Sequence, residues 1–451
     1  MIFPKYLDYK KSGHDWLGDI PSAWRIVPLW SLFSRVKRTG FADEELLSVY
    51  RDHGVIPKAS RSDNFNKPSD DLSAYQLVAI DDLAINKMKA WQGSVAISEY
   101  RGIVSPAYHV YVAKHAECSR YLHYLFRSME YIAGYLANSK GIRVNQWDLE
   151  PQQHSRMPVI LPSPSEQKTI AAFLDHETAK IDALIAEQQR LIELLKEKRQ
   201  AVISHAVTKG LNPSAPMKDS GVEWLGEVPA HWECMSYRYA TRILRGKFGH
   251  RPRNDPALYD GDYPFIQTGD IAQASKYISK FKQTLNEKGA AVSASFPAGT
   301  LVMAIAANIG DTAILGFEAY APDSVVGFRP RSDINLEYLR YSLDSSIQEL
   351  EKTSTQSTQA NLNIDRVGAV KAVFPPEIEQ VDIVNYLDGM CSQFADLIRE
   401  SEDSIKLMTE RRSALISAAV TGKIDVRDWQ PSKSTSPEPV LQAAEEAASY
   451  G

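Results

Sequence analysis

Four loops of this chain concentrate lysine, arginine, glutamine and asparagine, the residue types that can read the edges of nucleic-acid bases. Arginine and lysine donate hydrogen bonds to guanine edges and phosphates, whereas asparagine and glutamine can pair bidentately with adenine. Such loops are also often ordinary solvated surface, so residue type leaves both interpretations open. The loops are NKMKAWQGS (86–94), NSKGIRVNQ (138–146), RGKFGHRPRN (245–254) and STQSTQANLN (354–363). Their candidate groove-reading residues are Lys87, Lys89, Gln92, Lys140, Arg143, Gln146, Lys247, Arg251, Arg253, Gln356, Gln359 and Asn361.

Catalytic and metal-binding patterns are not found in the sequence. Neither Gly246-Lys247 nor Gly422-Lys423 has the glycine frame of a phosphate-binding loop. The 10 histidines are scattered, without an HExxH pattern or a pair at metal-ligand spacing. The sequence therefore predicts a non-catalytic protein without a metal site or cofactor of its own.

Composition places the chain among globular proteins of a reducing compartment. At 451 residues it suggests about three structural units, and its 44% apolar and 24% charged residues are ordinary for a soluble protein. The three cysteines lie far apart, the N-terminus lacks an apolar signal core, and the apolar run LVMAIAANIG is too short to span a bilayer. We expect a cytoplasmic protein that does not bind a membrane. A net charge of −5 neither supports nor excludes DNA as a partner.

The elements that position these loops come from an internal duplication. SGHDWLGDIPSAW (12–24) returns as SGVEWLGEVPAHW (220–232), and residues 162–208 align without a gap on residues 375–421. Each copy reads as a WLG phrase, a dissimilar stretch of about 130 residues, a PxxxEQ entry and then a long helix. The period is too long for a solenoid repeat. Two domains, each followed by the same helix, are therefore predicted, and the dissimilar stretches should carry the specific function.

The repeated helices have one apolar stripe each, with apolar residues at mixed three- and four-residue spacing. Each stripe could pack on its own domain. A helix of about 30 residues is about 45 Å long, however, which favours two helices packed on each other as a coiled coil. Two copies pair most simply about a pseudo-twofold axis, which would make the helices antiparallel and place the globular domains at opposite ends. The expected fold class is α+β, with two mixed domains on this coiled coil.

The two WLGxxPxxW phrases and the two PxxxEQ helices resemble the specificity (S) subunit of type I restriction–modification enzymes, from about Tyr9 to Lys423. The resemblance implies two target recognition domains, each reading one half of a bipartite, asymmetric sequence in double-stranded DNA. It also implies docking of two adenine methyltransferase (M) subunits on the helices, and of endonuclease/translocase (R) subunits. S-adenosylmethionine, ATP and Mg²⁺ would bind to those partners. Further candidates lie in or beside phrases common in such domains, namely Ser105, Tyr108, Gln267, Thr268 and Asn308.

The expected organisation follows from these boundaries. Residues 1–160 form the first recognition domain, 161–210 the first helical spacer, 211–373 the second domain and 374–423 the second spacer, and residues 424–451 form a disordered tail. Trp16, Trp24, Trp224 and Trp232 should be structural anchors that mount each domain on its helix. Two rival functions stay open: an independent nuclease or methylase, and a coiled-coil adaptor whose domains bind protein.

Overall fold

The structure is a computed structural model that describes residues 3–51, 53–61, 67–140, 147–306, 309–352, 362 and 364–431. The chain divides into two compact units. Unit 1 comprises Met1–Gln188 and Asp403–Gly451, and unit 2 comprises Gln189–Glu402. Among the helices of the described ranges, none is both long and apolar enough to cross a membrane.

Unit 1 is a mixed domain of short strands and helices, followed by the first long helix. The core strands β8 and β11 are apolar runs, as expected for strands covered on both faces. The strands are β1 (Tyr9–Lys11), β2 (Asp19–Pro21), β3 (Arg25–Pro28), β4 (Phe33–Val36), β5 (Leu47–Tyr50), β6 (Gly54–Pro57), β7 (Gln76–Val78), β8 (Leu83–Asn86), β9 (Val95–Ile97), β10 (Gly102–Val104), β11 (Tyr108–Ala113), β12 (Ser139–Lys140), β13 (Asp148–Leu149) and β14 (Pro158–Leu161). The helices are α1 (Leu29–Leu32), α2 (Ser119–Phe126), α3 (Met129–Ala137), α4 (Pro151–Arg156) and the long α5 (Pro164–Lys209).

Unit 2 is likewise a mixed domain of short strands and helices, and it ends in the second long helix. Its strands are β15 (Met217–Asp219), β16 (Glu227–Pro229), β17 (Glu233–Ser236), β18 (Thr241–Arg245), β19 (Tyr259–Phe265), β20 (Tyr277–Ile278), β21 (Gln283–Leu285), β22 (Ala294–Phe296), β23 (Leu301–Ala304), β24 (Thr312–Leu315), β25 (Ala319–Ala321), β26 (Val325–Pro330) and β27 (Lys371–Phe374). Its helices are α6 (Tyr237–Ala240), α7 (Thr268–Gln273), α8 (Glu287–Ala291), α9 (Leu336–Ser345), α10 (Ile347–Lys352), α11 (Ile364–Ala369) and α12 (Glu377–Val420).

The sheet topologies show that the duplication continues into the stretches that look dissimilar in sequence. The main sheet of unit 1 has the order β4-β11-β8-β9, and that of unit 2 has the matching order β18-β26-β23-β24 with β20 added at its edge. The small sheets β1-β2 and β14-β3 of unit 1 likewise match β15-β16 and β17-β27 of unit 2. Unit 2 adds a second sheet, β21-β19-β25-β22, which has no match among the described residues of unit 1. The α+β class is confirmed by these elements.

The long helices are longer than expected, with 46 residues in α5 and 44 in α12. A helix of 46 residues is about 69 Å long. The additional turns come from the PxxxEQ entry, which is itself helical. Pro164 is tolerated in the first turn, and the Ser163 Oγ accepts a hydrogen bond from the backbone N–H of Glu166 at 3.3 Å. Each helix contributes residues to both units, because the units divide after Gln188 in α5 and after Glu402 in α12.

Each unit contains the first half of one long helix and the last half of the other. In unit 1, Ile170 and Leu174 of α5 share a core with Ala419 and Val420 of α12. In unit 2, Ala206 and Val207 of α5 share a core with Ile383 and Leu387 of α12. The apolar stripes are therefore buried both against the domain and beside the other long helix.

Two buried tryptophans, Trp24 and Trp232, mount the domains on these helices, and we call them the anchor tryptophans. Both are 1% exposed. The Trp24 indole Nε1 donates to Glu166 Oε1 at 3.0 Å, and the Trp232 Nε1 donates to Glu379 Oε2 at 3.0 Å. The expectation of structural anchors is confirmed for these two residues, and the repeated PxxxEQ glutamates are their partners.

The end of the other long helix meets each anchor tryptophan through a glycine. Gly422, with φ of +74°, follows α12, and a Cβ atom there would lie 3.2 Å from the Trp24 ring and 2.4 Å from Pro21. Gly210, with φ of +79°, follows α5, and a Cβ atom there would lie 3.1 Å from the Trp232 ring. Both positions need glycine for the left-handed turn and for the close approach.

A repeated pair of tyrosines completes the mount on α2 and α9. The Tyr121 hydroxyl donates to the backbone oxygen of Ile160 at 3.0 Å and lies 3.3 Å from that of Val420. The Tyr338 hydroxyl contacts the oxygens of Val373 at 2.8 Å and Val207 at 3.2 Å in the same way. Each hydroxyl thus joins the last strand of its domain to the end of a long helix.

Residues 424–431, which were expected to begin a disordered tail, pack in unit 1. Val426 is buried, and the Trp429 ring lies 5.5 Å from that of Phe173 in an edge contact. The backbone N–H of Asp425 donates to the oxygen of Pro4 at 2.8 Å. The apolar residues in IDVRDW account for this order, because they bury enough surface to offset the entropy of fixing the segment. Residues 432–451 lie outside the described residues.

Unit 1 also holds three buried histidines, His109, His123 and His154. Burial lowers the pKa of His109 to about 4, with Arg35 acting in the same direction. Burial lowers the pKa of His123 and of His154 to about 3, reinforced by Arg127 and by His109 respectively. These side chains are therefore neutral in the folded state at neutral pH.

Candidate nucleic-acid interface

The loop 86–94 of unit 1 is a tight connection between β8 and β9. The backbone N–H of Asn86 donates to the oxygen of Ser94 at 3.0 Å, and Ala90–Gln92 form a 3-10 turn between them. Gly93 ends this turn in the left-handed region, against the side chain of Ile132. The turn leaves the side chains of Lys89 and Gln92 exposed, as a surface reader requires.

Lys87 and Lys140 are brought together on the two sides of Asp148. The Lys87 Nζ lies 3.7 Å from Asp148 Oδ2, and Lys140 is the register partner of Asp148 in the β12-β13 pair. The Lys140 Nζ lies 3.7 Å from Glu150 Oε2. These exposed ion pairs are weak in water, so both lysines can exchange their carboxylates for a phosphate group.

Ser105 and Tyr108 lie beside the same loop but are less accessible. The Ser105 Oγ accepts from the backbone N–H of Ala107 at 3.4 Å within a turn. Tyr108 is the register partner of Asn86, and burial raises the pKa of its phenol although hydrogen bonds to Val49 and Asn86 act against that. The Tyr108 side chain therefore has a structural role in maintaining the conformation of the loop.

A pair of half-exposed tryptophans accompanies these residues and was not anticipated from the sequence. The rings of Trp91 and Trp147 have centroids 4.9 Å apart with an angle of 60° between their planes. The Trp91 Nε1 donates to the backbone oxygen of Met88 at 3.1 Å, which holds the ring over the loop. The two tryptophans are separated by 55 residues in the sequence, which gave no signal of their contact. Such aromatic rings can pack against bases or sugars.

In unit 2, Arg251 and Arg253 converge on one carboxylate. The Arg253 guanidinium contacts both oxygens of Asp323 at 2.6 and 2.7 Å, and Arg251 lies 3.8 Å from the same group. Lys247 is exposed, and its backbone N–H donates to the oxygen of Ala321, two residues before Asp323. The two guanidinium groups therefore converge at the turn after β25, and the backbone of Lys247 lies beside this turn.

Gln267 and Thr268 follow β19, which pairs in parallel with β25 through Phe265 and Tyr320, and they begin α7. Asp270 Oδ2 accepts from the backbone N–H of Gln267 at 2.9 Å, so the start of the helix is capped. The Gln267 side chain is exposed and hydrogen-bonded to that of Gln283. Both candidates thus belong to the start of α7.

Two exposed arginines of unit 2, Arg242 and Arg329, were missed from the sequence. They are register partners on the antiparallel strands β18 and β26, and we call them the register-paired arginines. Like charges directly opposite each other on neighbouring strands destabilise a sheet, so an anion that contacts both would stabilise it. Only the strand register brings them together, and the register was not available from the sequence.

Six sequence candidates fall outside the described residues: Arg143, Gln146, Asn308, Gln356, Gln359 and Asn361. Within the described ranges, no group of three or more His, Cys, Asp or Glu side chains is placed to hold a metal ion. The described candidates offer hydrogen-bond donors and positive charge in each unit, and unit 1 adds the half-exposed rings of Trp91 and Trp147. This set is suited to phosphates and base edges.

Comparison with known proteins identifies the family. Residues 247–407 match the model of the type I restriction modification DNA specificity domain. The chain is 19% identical over 443 residues to the type I restriction enzyme StySPI specificity subunit of Salmonella potsdam, covering 92% of this chain and 91% of that protein.

One of the solved structures agrees with this chain in fold. A chain from a study of complex assembly and conformational transition of the type I R-M system superposes with a TM-score of 0.67 at 16% identity, covering 90% of this chain and 99% of that one. The HsdS subunit from Thermoanaerobacter tengcongensis aligns over 92% of this chain and 100% of its own, at 17% identity and a TM-score of 0.48.

The resemblance of the WLG phrases and PxxxEQ helices to this family is confirmed by these matches. The matched model is named for DNA specificity, and the matched relative is named as a specificity subunit. Residues 247–407 therefore carry a type I restriction modification DNA specificity domain, and the chain as a whole resembles type I specificity subunits.

Proposed function

We propose that each unit reads one half of a bipartite, asymmetric DNA target. One observation carries this proposal: the same mount of anchor tryptophan, glutamate and tyrosine recurs in both units, whereas the polar loops attached to it differ. A repeated mount with different loops suits two similar readers of two different sequences. Lys89, Gln92 and the pair Trp91–Trp147 would act in unit 1, and the cluster around Arg253 would act in unit 2.

The long helices are proposed to form an antiparallel coiled coil that places the two recognition domains at its opposite ends and sets the unread gap. Contacts inside each unit support this arrangement. In unit 1 the Arg412 guanidinium donates to Asp182. Residues nearer the start of α5 pack with residues nearer the end of α12. In unit 2 the shared core again combines the end of α5 with the start of α12.

The helices are further proposed to dock two adenine methyltransferase (M) subunits, to which endonuclease/translocase (R) subunits add. In this proposal S-adenosylmethionine, ATP and Mg²⁺ bind to those partners in the cytoplasm. The candidate cations of the recognition loops are few and are paired with carboxylates. Much of the phosphate neutralisation would therefore come from the partners.

The test is to co-express the chain with its M subunit and to map N6-methyladenine across the host genome by single-molecule sequencing. The expected result is one split motif with a constant gap, methylated on both strands. The double variant Lys89→Ala with Gln92→Ala should relax or abolish one half-site only. Arg399→Ala serves as the matched control, because Arg399 pairs with Asp396 on α12 and should leave the motif unchanged.

A soluble complex that methylates nothing would refute the DNA-reading proposal and favour an adaptor that binds protein. Loss of both half-sites in the unit 1 double variant would contradict the assignment of one half-site to each unit. Methylation by the purified chain without its partner would favour the independent enzyme.

A further inference from the structure

The duplicated helices differ at one ion pair, and the difference leaves an arginine without its carboxylate partner beside a cavity in unit 2. In unit 1, Arg412 of α12 donates from Nε to Asp182 Oδ1 at 2.8 Å and from Nη2 to Oδ2 at 3.2 Å. The gapless alignment of the two helices places Arg199 at the position of Arg412 and Ala395 at the position of Asp182. Unit 2 therefore keeps the arginine and lacks its carboxylate.

Arg199 and Ala395 face a cavity of about 620 Å³ that lies wholly within unit 2. The cavity lies between the two long helices of this unit and the helix α9, and it has the volume typical of a small-ligand site. The Arg199 Nε is buried and has no hydrogen-bond partner among the described residues. A buried hydrogen-bond donor without an acceptor destabilises the fold. The missing carboxylate therefore leaves the Arg199 Nε without the acceptor that it needs.

A second arginine lines the same cavity and has the same deficiency. Arg340 of α9 is only 8% exposed, and its Nη2 donates to the backbone oxygen of Ser275 at 2.9 Å. Its Nε has no partner within the part of the chain that the structure describes. Two arginines whose buried Nε atoms have no partner among the described residues therefore line one cavity.

The carboxylates of the cavity do not satisfy these donors. The Lys276 Nζ forms ion pairs with Asp388 Oδ2 at 2.8 Å and with Glu337 Oε2 at 2.7 Å. Asp344 accepts from the Thr312 hydroxyl at 2.7 Å, and burial raises its pKa although Arg340, Thr312 and Arg199 oppose the rise. Burial also raises the pKa of Asp311. Among the described residues, neither acid accepts a hydrogen bond from the Nε of Arg199 or Arg340.

We propose that this cavity of unit 2 binds a carboxylate-type anion, whose oxygens accept hydrogen bonds from Arg199 and Arg340 in place of the carboxylate that Asp182 supplies in unit 1. The anion can come from a small oxyanion in solution or from an aspartate or glutamate side chain of a docked partner protein. The first source is independent of the proposed function, whereas the second rests on the proposed docking of M subunits.

The test measures thermal unfolding of the full chain, purified with and without its M subunit, while malonate or inorganic phosphate replaces chloride at constant ionic strength and pH 6.5. We expect a saturable rise in Tm. Arg199→Gln should weaken the anion affinity by about tenfold or more, because charge-assisted hydrogen bonds are lost. Ala395→Asp should supply the missing carboxylate internally, raise Tm without anion and abolish the response.

A matched pair in unit 1 controls for unspecific effects of charge. Arg412→Gln should lower Tm by breaking its ion pair but should leave the response to malonate and phosphate intact. An unchanged anion response in Arg199→Gln would overturn the proposal for a small oxyanion. In that case Ala395→Asp must still weaken capture of the M subunit at least tenfold to support the partner side chain as the source.

If neither malonate, phosphate nor the M subunit distinguishes the Arg199 and Ala395 variants from the unaltered chain, the cavity holds only water and the proposal fails. These measurements do not require DNA methylation. A failed anion site therefore leaves the proposed DNA-reading function untouched, and a failed methylation test leaves the small-anion site untouched.

Discussion

The length of the long helices should set the gap between the two half-sites, and inserting residues into both helices tests this directly. The insertion points are after Gln188 in α5 and after Glu402 in α12, where the two units divide. Four helix-forming residues at each point lengthen each helix by about 6 Å. Along B-DNA, at about 3.4 Å per base pair, this corresponds to at most about two base pairs. The gap in the methylated motif should therefore grow by about one to two base pairs.

The assay is the methylome of cells that express the variant with its M subunit, with both half-site sequences read from the same data. Inserting four residues into α5 alone is the matched control. It shifts the two helices against each other and should lower the yield of folded protein without producing a longer gap. An unchanged gap in the double insertion, with both half-sites still methylated, would refute the role of the helices as a spacer.

Three further outcomes are expected. Tyr338→Phe removes the hydroxyl that contacts two buried carbonyl oxygens and should lower the free energy of unfolding by about 1–3 kcal/mol in urea titrations. Tyr239→Phe, at a site 72% exposed, should change the free energy of unfolding little. Equal effects of the two substitutions would contradict the role of Tyr338 in the mount. Glutamine at both register-paired arginines should reduce the salt dependence of DNA affinity by about 0.9 per lost phosphate contact, and an unaltered slope would exclude them from the interface. The three buried histidines have folded-state pKa values below the unfolded value of about 6.5. Their contribution to the free energy of unfolding is therefore constant above that pH. Below it, the free energy of unfolding falls by about 1.4 kcal/mol per histidine and pH unit. Hydrogen exchange at pH 5.5, corrected for intrinsic rates, should show lost protection in unit 1, and unchanged protection would argue that these histidines are solvated.

The duplication could be predicted because the two copies share identical residues, and the long helices because their apolar residues recur at regular spacing. The phrase at 12–24, its copy at 220–232 and the gapless helices required only a comparison of the chain with itself. The shared topology of the two main sheets could not be found in this way, because short strands are defined by register and burial that many sequences satisfy. The repeated Tyr-Leu-x-Tyr of α2 and α9 was visible in the sequence, but it is a short signal that means little without the hydroxyl contacts.

The candidate site was predictable only in residue type. Exposed lysines and glutamines of the loop 86–94 were anticipated because the loop is punctuated by polar residues and glycine. The contact of Trp91 with Trp147 and the opposition of Arg242 and Arg329 depend on tertiary structure and strand register. The packing of residues 424–431 against Phe173 was missed because a short apolar segment has no periodicity of its own.

The sharing of both long helices between the units has a consequence for synthesis on the ribosome. Unit 2 is one continuous segment, Gln189–Glu402, whereas unit 1 needs Asp403 and the residues after it to complete its core. The N-terminal domain therefore emerges first but closes last, after Val420 and Val426 have left the exit tunnel. At about 5–20 residues per second, its apolar surface waits for tens of seconds. Released chains that end at Glu402 should accordingly depend on chaperones for solubility, although unit 2 within them is complete.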